Sequence, residues 1–177
     1  MMRLNKKGFT LVELLAALVI LAAIMAIAVP NVMGILNNSK ADAYVEDAKK
    51  LLSLAEYKFR GNPSFRPAPN ECTVMSLKYL DNSEFENAPN GGAYDKTNSY
   101  VIIVNKPNAS GNNQYVYYVT LDEVMDGGAH RGLVYKSYEE LYSNDPTDLI
   151  FNSTSGALAT PDSAISQVGC NSIANRL

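Results

Sequence analysis

Lys6-Lys7-Gly8-Phe9-Thr10-Leu11-Val12-Glu13 joins a short basic leader to a long apolar run. Residues 9–29 number 21, and Glu13 is the only charged one among them. An apolar stretch of that length suffices to cross a hydrocarbon core of roughly 30 Å as a helix. A carboxylate inside such a run is costly to place in lipid, and a plain membrane anchor does not need one. At a rise of about 1.5 Å per residue, Glu13 lies only ~6–8 Å beyond Gly8, close enough for its side chain to reach back toward the interface. An acid retained against this cost asks for a function.

The junction differs from an ordinary secretory signal. In such a signal a small-residue cleavage site follows the apolar region; here Gly8 precedes it. Arg3, Lys6 and Lys7 all precede Gly8, and the whole apolar segment follows it. The basic flank keeps the N-terminus cytoplasmic and sends the C-terminal part outward. A plain signal anchor carrying an extracytoplasmic enzyme or binding domain is the rival reading. It leaves the glycine, the phenylalanine and the acid unexplained.

The first helix is expected to continue past the apolar run. From Asn31 the sequence becomes amphipathic: Tyr44, Ala48, Leu51, Ala55 and Phe59 recur at helical spacing and mark one buried face. Asp42, Glu46, Lys49, Lys50, Glu56, Lys58 and Arg60 mostly occupy the other side, with Glu46–Lys50 and Glu56–Arg60 spaced as favourable i,i+4 pairs. Gly61-Asn62-Pro63 ends the helix, the glycine suited to a left-handed cap. The first half is apolar all round and the second half on one face only. This division predicts an unsupported N-terminal half and a C-terminal half packed on a globular head.

Beyond residue 62 the chain has room for one compact domain. Residues 62–70 carry Pro63, Pro67 and Pro69 and read as a connector. Asn70 is spaced to cap a short helix through Leu80, with Val74, Leu77 and Leu80 inward. Residues 82–98 read as loop. Tyr100-Val101-Ile102-Ile103-Val104 and residues 114–121 read as strands joined by a hairpin loop, and Leu133-Val134-Tyr135 as a third, short strand. Ser137 and Glu140 have capping-box spacing for a brief helix through Tyr142. Residues after Asn144 are polar and turn-rich, with an apolar piece at Leu149-Ile150-Phe151. The expected fold class is α+β: a long N-terminal helix packed on an antiparallel sheet.

The net charge of −3 includes +3 from the leader, which leaves −6 on the side chains of residues 9–177. That balance argues against a broad nucleic-acid surface, and no specific nucleic-acid partner is expected. The single histidine, His130, sits among glycines and reads as a solvated loop residue; Asp122, Glu123 and Asp126 beside Gly127 and Gly128 read as a solvated acidic turn. Their spacing fits no EF-hand, and without CxxC or HExxH no metal site and no cofactor are expected. No enzyme motif is present. Tyr115 and Tyr117 alternate with Val116 and Tyr118, so one face of that strand is read as core, with an exposed tyrosine patch as the alternative.

Gly8, Phe9, Thr10, Leu11 and Glu13, followed by the unbroken apolar segment, resemble the class III prepilin leader of type IV pilins and pseudopilins. The short leader and the Phe after glycine resemble the type IVa subclass, and Pro30 falls where that subclass carries a helix proline. The resemblance covers roughly residues 1–60. It implies cleavage between Gly8 and Phe9 by a prepilin peptidase and N-methylation of Phe9. It also implies a role in assembly for Thr10 and Glu13, with the Glu13 carboxylate offsetting the new α-amino charge of a neighbouring subunit. Pro30 and Gly34 then mark a kink, or a segment that bends or unwinds as subunits pack. In an exported domain Cys72 and Cys170 permit a disulfide, as many pilins have near the C-terminus; two buried free thiols are the alternative. The implied organisation is a leader at 1–8, a transmembrane and filament-core helix at 9–36, its amphipathic half at 37–61, and a globular head at 62–177.

The resemblance further implies a structural, non-enzymatic role: the major subunit of a type IV pilus, a helical homopolymer serving adhesion, aggregation or motility. The alternative is a pseudopilin of a type II secretion or DNA-uptake system. The implied partners are like subunits, the peptidase, and an assembly machinery with a cytoplasmic ATPase and a membrane platform protein. The implied location is a single-pass membrane precursor, then an extracellular pilus.

Overall fold

The computed structural model describes residues 10–80, 83–154 and 156–177. One helix, α1 (Leu11–Gly61), is followed by β1 (Cys72–Ser76), α2 (Leu77–Leu80), β2 (Ala93–Tyr94), β3 (Tyr100–Asn105) and β4 (Tyr115–Val124). Then come β5 (His130–Ser137), α3 (Tyr138–Ser143), β6 (Ile150–Ser153), α4 (Pro161–Val168) and β7 (Ile173–Arg176). The chain divides into two compact units between Asn37 and Asn38. The arrangement is α+β.

In the second unit, the sheet order is β6-β5-β4-β3-β1-β7, with β2 pairing with the far end of β4. The sheet is sandwiched between helices. The C-terminal part of α1 covers one face: Tyr44, Ala48, Leu51, Ala55 and Phe59 are all buried, joined by Val45 and Leu52, against Met75, Val101, Ile103, Val119 and Leu121. On the other face α4 lays Ala164 and Val168 against Val74, Tyr100, Ile102 and Val104. Alternation along β3 therefore sends side chains to two cores, which is why it reads as a continuous apolar run.

Several sequence expectations need correction. The sheet is mixed, not purely antiparallel, because β7 pairs with β1 in parallel. Cys72 opens β1 opposite Ile173 of β7, and Cys170 lies just upstream of Ile173 with its Cα 5.8 Å from that of Cys72. Both strands thus enter the sheet from the same end. The helix expected from Asn70 is instead strand β1 followed by the single turn α2. Asn70 is left-handed, at φ 63°, and donates its N–H to the Asn105 carbonyl. The 72–76 stretch lies between β3 and β7 and is buried on both faces, so tertiary pairing overrides local spacing.

Gly61 remains in the last turn of α1 and is not left-handed; Asn62 redirects the chain by capping a turn that begins at Pro63. Glu56 and Arg60 pair as expected, but Lys50 pairs with Asp47 at 3.1 Å, and Glu46 pairs with Lys49 at 2.8 Å. The capping box at Ser137 and Glu140 forms as its spacing suggests. Helix α4 and strand β7 lie within the stretch that reads as polar and turn-rich in sequence. Thr160 and Ser163 form a capping box at the start of α4, Pro161 occupies its first turn, and Gly169 closes it in the left-handed conformation at φ 73°.

Candidate functional site

The apolar half of α1 is the first candidate site. Every described side chain from 10 to 39 is exposed, with Leu11 81% accessible. Soluble surfaces do not carry apolar area of this extent without a partner phase or partner protein. Among the described residues one helix is long and apolar enough to cross a membrane, and this is it. Pro30 lies within the continuous helix, and the Asn31 side chain donates to the Ile27 carbonyl at 3.1 Å. Gly34 has nothing within 4 Å of where a Cβ would stand, so no contact within this chain demands a glycine there.

At the start of α1, Thr10 and Glu13 form a reciprocal cap. The Glu13 carboxylate accepts from the Thr10 N–H at 2.8 Å and from the Thr10 hydroxyl at 2.9 Å, while the Glu13 N–H donates to the Thr10 hydroxyl at 3.3 Å. This satisfies two donors that a helix N-terminus leaves open. It gives Glu13 a local use beside the intermolecular one expected for it. Gly8 and Phe9, the expected cleavage and methylation positions, lie outside the described residues.

Two polar clusters in the head overturn the solvated-turn reading. Glu123 is fully buried on β4. Its carboxylate accepts from the Tyr44 hydroxyl of α1, from the Gly92 N–H at 2.8 Å, and from Asn90 through its N–H at 3.3 Å and its Nδ2 at 3.2 Å. A Cβ on residue 92 would collide with the Val124 carbonyl, so glycine allows this approach. Nearby, the Tyr94 hydroxyl donates to Asp47 of α1 at 3.0 Å. Burial, then the neighbouring carboxylate, pushes both phenols far above the ordinary tyrosine range. These bonds fix the rotation of the C-terminal half of α1 on the sheet.

Asp122 is buried as well, and its carboxylate meets His130 Nδ1 at 2.8 Å and accepts the Leu158 N–H at 3.1 Å. His130 is buried at the start of β5, opposite Val124, and is not a solvated loop residue. Burial raises the Asp122 pKa, and the bonds from His130 and Leu158 oppose that shift. Asp126 does lie in an exposed turn. Among the described residues no cluster of three potential ligands is placed to hold a metal. Cys72 and Cys170 are joined in a disulfide that ties the entry of β7 to β1.

Among the sequence comparisons, the prokaryotic N-terminal methylation motif matches residues 3–29. The chain therefore carries the class III prepilin leader of type IV pilins and pseudopilins. The motif indicates a type IV pilin-like or pseudopilin-like protein. It implies processing by a prepilin peptidase and assembly into a filament, and it is consistent with a membrane-anchored precursor. No curated protein and no solved structure matches the chain.

Proposed function

We propose that this chain is the major structural subunit of a type IV pilus. The observation that supports the reading is Glu13: the one acid in the exposed apolar half of α1, within the methylation motif. In this reading cleavage after Gly8 creates a methylated amine on Phe9. The precursor spans the membrane once with its N-terminus in the cytoplasm. An ATPase-driven assembly machine with a membrane platform then moves it into a fibre on the cell surface. The apolar half of α1 exchanges lipid for neighbouring helices, and Glu13 offsets the amine of the next subunit, since a buried charge is tolerable when paired and costly when alone. Heads form the outside of the fibre and serve adhesion, aggregation or motility. The role is structural, not enzymatic.

The test is to shear the cells, image the released material, and measure the intact mass and N-terminal peptide of this chain within it. The expected result is long fibres containing a chain that begins at methylated Phe9. Recovery of the processed chain only from the cell envelope, with no fibres, would overturn the pilus reading in favour of a pseudopilin. Chains still carrying residues 1–8 in fibres would overturn the processing step.

A further inference from the structure

Three adjoining hollows run along the flank where α1 meets β4 and α3, and all three are walled by Tyr117. We propose that this cleft is a binding site for a neutral glycan. Its walls are Glu56 and Arg60 from α1, Arg66 from the connector, Tyr115 and Tyr117 from β4, and Tyr138 from α3. This inference does not depend on the filament reading.

The aromatic rings are set before any ligand arrives. Tyr115 and Tyr117 stand edge-on to the buried Phe59, with ring centroids 4.9 and 6.1 Å away. Tyr138 leans on Tyr142 at 4.8 Å and keeps 54% of its surface exposed. Among the described residues, neither the Tyr115 nor the Tyr117 hydroxyl has a hydrogen-bond partner. Strand β5 pairs with β4 only from Tyr118 onward, so backbone polar groups of 115–117 are open on that side. Rings fixed by packing, with free hydroxyls beside them, bind at little cost in side-chain entropy.

Charge selects the ligand class. Glu56 and Arg60 pair at 2.5 Å, Arg66 is exposed and makes no ion pair among the described residues, and Glu139 lines the far end. The cleft thus holds two groups of each sign and no net charge. A pyranose offers an apolar C–H face for a tyrosine ring and a rim of hydroxyls that both donate and accept. Carboxylates take the donated bonds, and guanidinium groups and phenols supply the rest. A polyanion would meet Glu56 and Glu139, and an apolar segment would strip water from the Glu56–Arg60 pair, Arg66 and Glu139 without offering any of them a partner.

The experiment uses the full mature chain in phosphocholine micelles, whose headgroup is not a sugar, and saturation-transfer NMR. The probes are hexasaccharides of α-1,4-glucose, β-1,4-glucose, N-acetylglucosamine and mannose, with a galacturonate hexamer as the acidic comparison. At least one neutral hexasaccharide should bind, with transfer concentrated on one ring face. Tyr138→Ala and Arg66→Ala should each weaken binding about tenfold. Both positions are exposed, and an unchanged thermal transition would confirm that the fold persists. The inference is overturned if no neutral probe binds, if the acidic hexamer binds more tightly, or if both substitutions leave affinity unchanged. It is also overturned if Tyr138→Ala instead abolishes a concentration-dependent self-association, which would give the cleft to a second copy of the chain.

Discussion

Replacing Glu123 by alanine tests whether a buried carboxylate holds the long helix to its sheet. That carboxylate accepts from the Tyr44 hydroxyl, from two backbone N–H groups and from the Asn90 amide. Tyr44 is wholly buried, so water cannot replace the lost acceptor, and an orphaned buried donor costs ~1–3 kcal/mol. Asn90 and Gly92 are partly accessible, and water recovers some of their loss. The Asn90 amide also keeps its bond to the Tyr44 oxygen at 2.8 Å. Against these losses, the substitution relieves the desolvation of a buried acid. The expected net destabilisation is about 2–4 kcal/mol. The assay is urea unfolding of the mature chain in micelles, followed by near-ultraviolet circular dichroism of its tyrosines, since the chain has no tryptophan. A double-mutant cycle gives the mechanism. If the orphaned phenol is the main cost, adding Tyr44→Phe to Glu123→Ala should cost less than the sum of the single changes, by about 1–3 kcal/mol. Strict additivity, or a Glu123→Ala effect below about 0.5 kcal/mol, would refute the clamp.

Glu13 has both a local cap and a proposed intermolecular role, and two substitutions separate them. Glutamine keeps the capping bonds and loses the charge, whereas alanine loses both; if the charge matters, both should be processed normally yet lower the ratio of sheared to cell-bound protein. A normal ratio for Glu13→Gln would leave Glu13 as a helix cap only. Tyr44 and Tyr94 have raised pKa values, so the stability they confer is complete below the unfolded value of about 10 and declines as pH rises above it. Alkaline titration of stability should therefore fall by up to ~1.4 kcal/mol per pH unit for each tyrosine, and Tyr94→Phe should flatten that limb; an unchanged slope would count against the burial of its phenol. Removing residues 1–36 should leave a soluble monomer, whereas removing residues 1–60 should expose the apolar groove of the sheet and cause aggregation. Equal solubility of the two truncations would show that α1 contributes nothing to the cover of the sheet.

The parts of this protein that were legible in its sequence share one property: their physics is local along the chain. The face made by Tyr44, Ala48, Leu51, Ala55 and Phe59 follows from helical period alone, and every member is buried. The box at Ser137 and Glu140 is a three-residue spacing, and it forms. The start of α4 was equally local: Thr160, Pro161 and Gly169 are its signals, yet a polar surrounding stretch hid them. Other features could not be read this way. Cys72-Thr73-Val74-Met75 is a strand only because β3 and β7 flank it from far along the chain. Asp122, Glu123 and His130 lie within a few residues of Gly127, Gly128 and Gly132, and composition alone places such residues in water. Their burial depends on Tyr44, Asn90 and Leu158 arriving from three other segments. A lone charge in an apolar run is therefore a stronger signal than a cluster of charges in a loop. For Glu13, every alternative environment along the segment is apolar, so the need for a partner is written in the sequence itself. For Glu123 that need exists only after the fold has removed the water.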